Sequence, residues 1–287
     1  MMRYKVFAVV FAVWWLTGNG LLAHDRQVLE KNFPADSQVK KVSLSGDISA
    51  AEVRLDGHDG GDLFAGRVRY DADRTKVDIT LDKSGSTAEL EMTGKRLHER
   101  GDFKSEDNAW SVSLSRDYTW DINIDVGATE CELDLSGLSL EEFTLDAGAS
   151  ECEILFDRPN PREMKRFSID AGAGSVELHG LGYARCRDFE LDGGAGSVEL
   201  DFNGFETGFL TAHIDVGVGE VKIKVPKGVP VHITADDGWL SSVDIDEDLG
   251  DNIGDGEWES DGYKRGTRGL DISIDVGIGQ VTVNRSR

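Results

Sequence analysis

Apolar and polar residues alternate with a period of two along most of this chain, and that period predicts β-strands. The alternation is clearest in a ten-residue phrase that occurs six times. A glycine interrupts every copy, which argues against helices. The copies are IDVGATECEL from Ile124, LDAGASECEI from Leu145, IDAGAGSVEL from Ile169, LDGGAGSVEL from Leu191, IDVGVGEVKI from Ile214 and IDVGIGQVTV from Ile274.

The copies recur at the spacing of a solenoid, in which a repeat closes its core only against its neighbours. Counted from the aspartate of each phrase, the first five copies lie 21, 24, 22 and 23 residues apart, and 60 residues separate the fifth from the sixth. We therefore expect an all-β fold, a single-stranded right-handed parallel β-helix with repeats of about 21–24 residues.

The period of two also predicts which side chains point inward. Three inward columns follow: Ile124, Leu145, Ile169, Leu191, Ile214 and Ile274; Cys131, Cys152, Val176, Val198, Val221 and Val281; and Leu133, Ile154, Leu178, Leu200, Ile223 and Val283. A shared glycine should turn one corner of each coil with a positive φ angle. These glycines are Gly127, Gly148, Gly172, Gly194, Gly217 and Gly277.

Degraded copies of the phrase extend the pattern in both directions. One runs from Asp47 to Leu55, and another runs from Asp236 to Ile245 inside the long gap. Residues 246–269 and 157–165 have the composition of loops. We expect an N-terminal β portion over residues 24–120, continuous with a repeat solenoid over residues 121–287.

The first 23 residues predict a secretory signal peptide. Arg3 and Lys5 precede an apolar run from Val6 to Leu16 that is too short to span a bilayer, and Ala23 offers a small residue for cleavage. An uncleaved signal anchor is the alternative. No later segment is apolar enough to span a membrane, so we expect an exported protein, periplasmic or extracellular.

The charge balance excludes one large class of partners. The chain has 31 Lys and Arg against 54 Asp and Glu, a formal charge of −23. Removal of the signal, which carries two basic and no acidic residues, leaves 29 against 54, or −25. A surface that binds nucleic acid needs clustered basic residues, so no nucleic-acid partner is expected.

Two columns of carboxylates are candidates for chemistry. The aspartates of the phrase should stack at about 4.8 Å, where they would form Asx turns at the glycine corner or bind a divalent cation. The glutamates Glu132, Glu153, Glu177 and Glu199 continue to Lys222 and Thr282. Because repetition makes these glutamates nearly equivalent, they predict a solvated face rather than an acid and a base of unlike environment.

Other motifs are weaker. Asp244, Asp246 and Asp248 resemble the start of a calcium loop, but Leu249 stands where that loop requires glycine. No G-x-S-x-G elbow occurs, and the histidines follow no motif; they are His24, His58, His98, His179, His213 and His232. We predict no catalytic residues, no cofactor and no metal ligands.

The cysteines are too few for a disulfide scaffold, and no CxxC pair suggests zinc. Cys131 and Cys152 occupy the same inward position of consecutive copies, whereas Cys186 lies outside the phrase. Their spacing permits a disulfide, but side chains that project in parallel should strain the bond. We therefore expect the two cysteines to be buried neighbours that stay mostly reduced.

Two stretches resemble known bacterial families. Asp47 to Met92, with LFAGRVRY from Leu63, resembles the N-terminal domain of the toast-rack proteins. The segment from Ile214 through Trp258 and Tyr263 to Val281 is similar to the C-terminal domain of the LiaF-like cell-wall-stress proteins. These resemblances imply a right-handed β-helix, no known catalytic residues, and an interaction or regulatory role near the cell envelope.

Taken with the export signal, these features predict a non-catalytic β-solenoid that serves as a structural or protein-interaction module at the cell envelope, with a connection to envelope stress. Its partner would be an envelope or surface protein that the sequence does not identify. Two alternatives remain open. The acidic columns would suit a calcium-dependent adhesin, and parallel β-helices also occur in enzymes that act on polysaccharides.

Overall fold

The computed structural model describes residues 26–97, 108–205, 207–235 and 240–286. The signal segment predicted at 1–23, the aspartate of the degraded copy at Asp236, and His24 and His98 lie outside these residues. Within them the chain is nearly all β, and its strands form one long sheet.

Sixteen strands and one short helix make up the described chain. The strands are β1 (Arg26–Pro34), β2 (Lys41–His58), β3 (Asp62–Asp71), β4 (Thr75–Ser84), β5 (Thr87–Arg96), β6 (Ala109–Ser115), β7 (Thr119–Asp134), β8 (Ser139–Leu155), β9 (Arg166–His179), β10 (Asp188–Asp201), β11 (Phe209–Val225), β12 (Val231–Ala235), β13 (Ser241–Ile245), β14 (Asp251–Gly254), β15 (Glu257–Glu259) and β16 (Gly269–Arg285). The helix α1 covers Leu181–Ala184, and a 3₁₀ turn covers Glu247–Leu249.

Parallel pairing of long strands builds the repeat array. Strand β2 pairs with β7, and β7, β8, β9, β10 and β11 then pair in chain order. Each strand carries one copy of the phrase, including the degraded copy in β2, and the register places equivalent residues side by side. The predicted repeat is therefore a long strand whose pairing skips the shared glycine and resumes in the same register beyond it.

The last copy does not lie where the chain order suggests. Strand β16 pairs with β11 on one edge and with both β12 and β13 on the other, so the C-terminal strand inserts between segments that precede it. This insertion keeps all six full phrases adjacent. The described part of the degraded copy in the long gap, β13, therefore lies beyond the sixth copy instead of between the fifth and the sixth.

Antiparallel strands close both ends, so the sheet is mixed rather than a purely parallel helix. At the first end, the outer edge of β2 pairs with β5 and β6, and these continue antiparallel into β4 and into β3 and β1. At the other end, β12 pairs antiparallel with β15, which pairs with β14. Residues 246–269, predicted as a loop, thus contain two strands. The right-handed coil stays a prediction.

The three predicted inward columns are confirmed, because every one of their members is buried. Aromatic rings add a further stack, in which Phe167 lies 5.4 Å from Phe143 and 5.0 Å from Phe189 between ring centroids. The buried Asn160 joins two coils by donating to the carbonyl oxygens of Leu140 and Ala184. Its polar side chain is fully satisfied inside an apolar core, as burial requires.

The six shared glycines do stack at one corner, as predicted, but their φ angles are not positive. A Cβ added to Gly148 would lie 2.8 Å from the carbonyl oxygen of Gly127, and the same approach recurs along the stack. The positive φ occurs two residues later, at Gly174, Gly196 and Gly279. At Gly196 an added Cβ would lie 1.7 Å from the carbonyl oxygen of Gly174, so close coil packing requires glycine there.

Candidate functional site

The aspartates of the repeat form a continuous row, which we call the aspartate ladder. The register places them in directly paired neighbours on seven strands: Asp47, Asp125, Asp146, Asp170, Asp192, Asp215 and Asp275. All seven are exposed. Partial burial and the neighbouring carboxylates of Asp146 and Asp47 raise the pKa of Asp125.

The predicted Asx turns are absent from the ladder, as far as the described residues go. The strands remain paired through each aspartate, so the backbone there has no turn for a side chain to close. Among the described cations, Lys95 lies near the ladder, with its Nζ atom 3.1 Å from Asp47 at the first end. The other six carboxylates accept no hydrogen bond and form no ion pair within the described part of the chain. The ladder therefore presents accumulated negative charge to solvent.

The glutamates form a second row, the glutamate ladder, and cations pair with the glutamate at each of its ends. In register it runs Arg54, Glu132, Glu153, Glu177, Glu199 and Lys222. Arg54 donates to Glu132 at 2.8 Å, and the hydrogen bond lowers the pKa of that carboxyl. Lys224 donates to Glu199 and lowers its pKa in the same way. This row is neutralised from both ends, unlike the aspartate ladder.

The calcium-like loop has a cation of its own. The carboxylate of Asp246 accepts hydrogen bonds from the backbone amides of Asp248 and Arg285. The guanidinium of Arg285 bonds the carbonyl oxygen of Asp248 and also those of Pro226 and Val229, which ties the C-terminal strand to two loops. Asp244 lies on β13, opposite Thr282. Within the described residues, no group of three or more suitable side chains could hold a metal ion.

The most strongly perturbed carboxyl was missed by sequence reasoning. Glu141, at a register shift between β7 and β8, binds Lys165 and lies 2.9 Å from the Nζ atom of Lys41, which also bonds Asp121 at 2.6 Å. Hydrogen bonds from Lys165 and Lys41 lower the pKa of Glu141 to about 2. A carboxylate held ionised by two lysines stabilises the fold and is unsuited to donating a proton.

One histidine does lie in a cluster. His232 on β12 places its Nδ1 atom 2.9 Å from a carboxylate oxygen of Asp271 on β16, and the ring of Tyr263 stacks on it with centroids 5.3 Å apart. Burial raises the pKa of Tyr263, and the nearby Asp271 adds to that effect. The cluster joins β12 to β16, the C-terminal strand. Residues 39 positions apart meet here only because β16 inserts beside β12.

The cysteine prediction was wrong in its main point. Cys131 and Cys152 are neighbours in the core, as expected, but they form a disulfide. Their strands pair them directly, with Cα atoms 4.6 Å apart, inside the range of about 4.4–6.8 Å that a disulfide accepts. Cys186 is a buried free thiol whose pKa burial raises to about 12.

The described chain contains no helix of the length and apolarity needed to cross a membrane. Its fold and its surface ladders define a class: an all-β protein with one long mixed sheet, whose parallel central strands present regular rows of side chains.

Within that class the chain belongs to the toast-rack family. Residues 22–179, more than half of the chain, match the family described as "N-terminal domain of toast_rack, DUF2154". The match continues past residue 120 into β9, so the family's pattern includes the first repeats of the array. The LiaF-like resemblance of the tail stays a prediction. No curated protein matches the chain.

Three solved structures are similar over most of this chain. A "putative cell adhesion protein" from Clostridium sporogenes is 17% identical, with a TM-score of 0.46, over 91% of this chain and 100% of its own. A "putative adhesin" from Bacteroides fragilis is 9% identical, with a TM-score of 0.35, over 91% and 98%. A "putative lipid binding protein" from Parabacteroides distasonis is 11% identical, with a TM-score of 0.28, over 91% and 97%. At these TM-scores none of the three specifies what this chain does.

Proposed function

We propose that this chain is an exported, non-catalytic interaction module that binds a basic partner at the cell envelope through the aspartate ladder. The observation that carries the proposal is the contrast between the two ladders. Both rows lie on the same strands, yet cations pair with Glu132 and Glu199 at the two ends of the glutamate ladder. Six of the seven aspartates pair with no cation in the described chain, and Lys95 pairs with Asp47 alone. Stacked like charges are unfavourable unless a partner neutralises them.

Export is supported by the basic and apolar pattern of residues 1–23. The non-catalytic role is supported by the equivalence of the ladder carboxylates, which gives none of them a distinct acid or base environment. The LiaF-like resemblance of the tail points to envelope stress as the setting. If so, deleting the gene should change the growth of the source organism under cell-wall antibiotics more than under ordinary conditions.

Binding to isolated envelopes tests the ladder directly. The purified chain, labelled at its N-terminus after signal removal, is incubated with washed envelopes of the source organism, and the retained fraction is measured as salt rises. The test variant is D125N/D146N/D170N/D192N, and the matched control is E132Q/E153Q/E177Q/E199Q, which removes the same number of charges from the same strands.

We expect salt-sensitive retention of the native chain, at least about tenfold weaker retention of the aspartate variant, and a smaller loss for the glutamate variant. Equal retention of the aspartate variant and the native chain would overturn the proposal. Turnover of a glycan by the native chain would overturn its non-catalytic part.

A further inference from the structure

A groove lies on the side of the array where the connections between strands stack. Its volume is about 630 Å³, and its walls come from the connections after β8, β9 and β10 and from the turn before β16. Small-molecule sites typically measure about 300–1,000 Å³. Because the groove crosses several coils, the shape suits an elongated ligand.

Aromatic rings line the groove. Tyr183 lies in the connection after β9, Phe205 lies in the connection after β10, and Phe209 is the first residue of β11; each is only half-buried. The ring of Tyr183 lies directly on Gly204, where an added Cβ would come within 2.4 Å of the ring. The accessible part of each ring offers an apolar surface for stacking.

Positive charge is concentrated on this side of an acidic protein. Strands β7, β8 and β10 contain no Lys or Arg, whereas the connection over residues 180–187 contains Arg185 and Arg187 and no acid. Arg187 binds Glu163 across the groove at 2.7 Å. Arg185 donates to the carbonyl oxygen of Asn160 and has no described carboxylate within ion-pair distance. One guanidinium therefore remains available to a ligand.

The backbone at Arg185 is also unusual. Its φ angle is 55°, in the left-handed region. Among the described non-glycine residues, Asp255 is the other one with a positive φ. Arg185 is the C-cap of α1, and helices commonly end in this conformation. The cap holds Arg185 at the point where the chain leaves α1 for β10.

We propose that this groove binds an acidic saccharide, with sugar faces stacked on Tyr183 and Phe209 and a carboxylate paired with Arg185. Guanidinium groups bind carboxylates through two parallel hydrogen bonds. An acidic peptide could also dock in an aromatic-lined groove, but it lacks the flat sugar faces that the rings would stack on, and the titration below distinguishes the two. A nucleic acid carries a denser charge than one available arginine in a protein of charge −23 would neutralise.

Calorimetric titration with trigalacturonate tests the groove, and neutral maltotriose, inorganic sulfate and a blocked tri-aspartate peptide serve as comparison ligands. We expect trigalacturonate to bind with a Kd of about 1 mM or tighter, and each comparison ligand to bind at least about tenfold more weakly. Arg185→Gln and Tyr183→Ala should each weaken trigalacturonate binding about tenfold or more. Arg166→Gln, an exposed arginine at the start of β9 outside the groove, should leave binding unchanged.

Arg185→Lys keeps the charge but removes the paired hydrogen bonds, so it should also weaken binding of trigalacturonate. The melting temperature of this variant reports whether the connection over residues 180–187 still folds. If Arg185→Gln does not fold, the single variants Arg185→Lys and Arg187→Gln are titrated in its place. Absence of binding to trigalacturonate, equal binding of sulfate or the peptide, or native affinity in Arg185→Gln would each overturn the proposal. The variant D125N/D146N/D170N/D192N should bind trigalacturonate with native affinity. The groove and the aspartate ladder are therefore tested separately, and either proposal can be wrong without the other.

Discussion

At the scale of single residues, the close approach of neighbouring repeats leaves no room for a side chain at some glycines. Gly196 combines a φ of 148° with a Cβ position 1.7 Å from a carbonyl oxygen, whereas the nearest atoms to a Cβ at Gly46 lie 3.6 Å away. We expect Gly196→Ala to lower the free energy of unfolding by about 2 kcal/mol or more. Gly46→Ala should lower it by less than about 1 kcal/mol. Urea unfolding followed by tryptophan fluorescence measures both, and equal losses would contradict the stacking.

The inward and outward positions of one strand can be separated in the same way. Leu178 is fully buried, whereas the Glu177 side chain is 55% exposed and lies 3.7 Å from His179. Leu178→Asp should cost about 4 kcal/mol or more because it buries a charge without a partner. Glu177→Ala should change the melting temperature little, and comparable losses for the two variants would show that the assignment of faces is wrong.

Glu141 predicts a specific dependence of stability on pH. Its folded-state pKa of about 2 lies below its ordinary value of 4.5. Its ion pairs therefore stabilise the folded chain fully above pH 4.5, and the contribution is lost as pH falls towards about 2. Glu141→Gln should be less stable than the native chain at pH 7, and the difference should shrink across that interval. A difference that stays constant down to pH 2 would exclude this role.

At the scale of elements, the disulfide joins equivalent positions of two consecutive repeats, on β7 and β8, with a sequence separation of 21 residues. Thiol labelling should find no reactive cysteine in the native chain, one in the unfolded chain without reductant, and three after reduction. The single thiol is Cys186, which burial protects in the native state. Reduction should lower stability by about 3 kcal/mol, the usual scale for a loop of this length. Three free thiols in the unfolded chain without reductant would instead support the sequence-based prediction that Cys131 and Cys152 stay reduced.

The connections between the strands are harder to predict from the sequence than the repeated strands themselves. The phrase identifies the strands because both faces of each strand are patterned. The connections around Pro159, Tyr183 and Phe205 share no phrase, so nothing in the sequence indicates that they stack into a groove. The same holds for Glu141, whose partners lie on β2 and in a loop.

At the scale of the whole molecule, the insertion of β16 has a measurable consequence. Because β11 and β12 with β13 pair with both of its edges, its amides should exchange with solvent as slowly as those of β10. Among the described residues, strand β14 pairs on one edge only, and it is exposed, so it should exchange much faster. Hydrogen exchange with mass spectrometry measures both segments. Fast exchange of residues 272–281 would mean that the last copy lies at the end of the stack.

The sequence by itself determined the strands of the array, the register of their phrases and the three buried columns. It could do so because a period of two separates inside from outside and a repeat of 21–24 residues aligns equivalent positions. Only the tertiary structure decided the place of β16, the antiparallel ends, the disulfide, the cations at the two ends of the glutamate ladder, and the groove. Each of these depends on contacts between residues that lie far apart in the sequence. The stacking of the repeats brings such residues together, and no local sequence pattern records it.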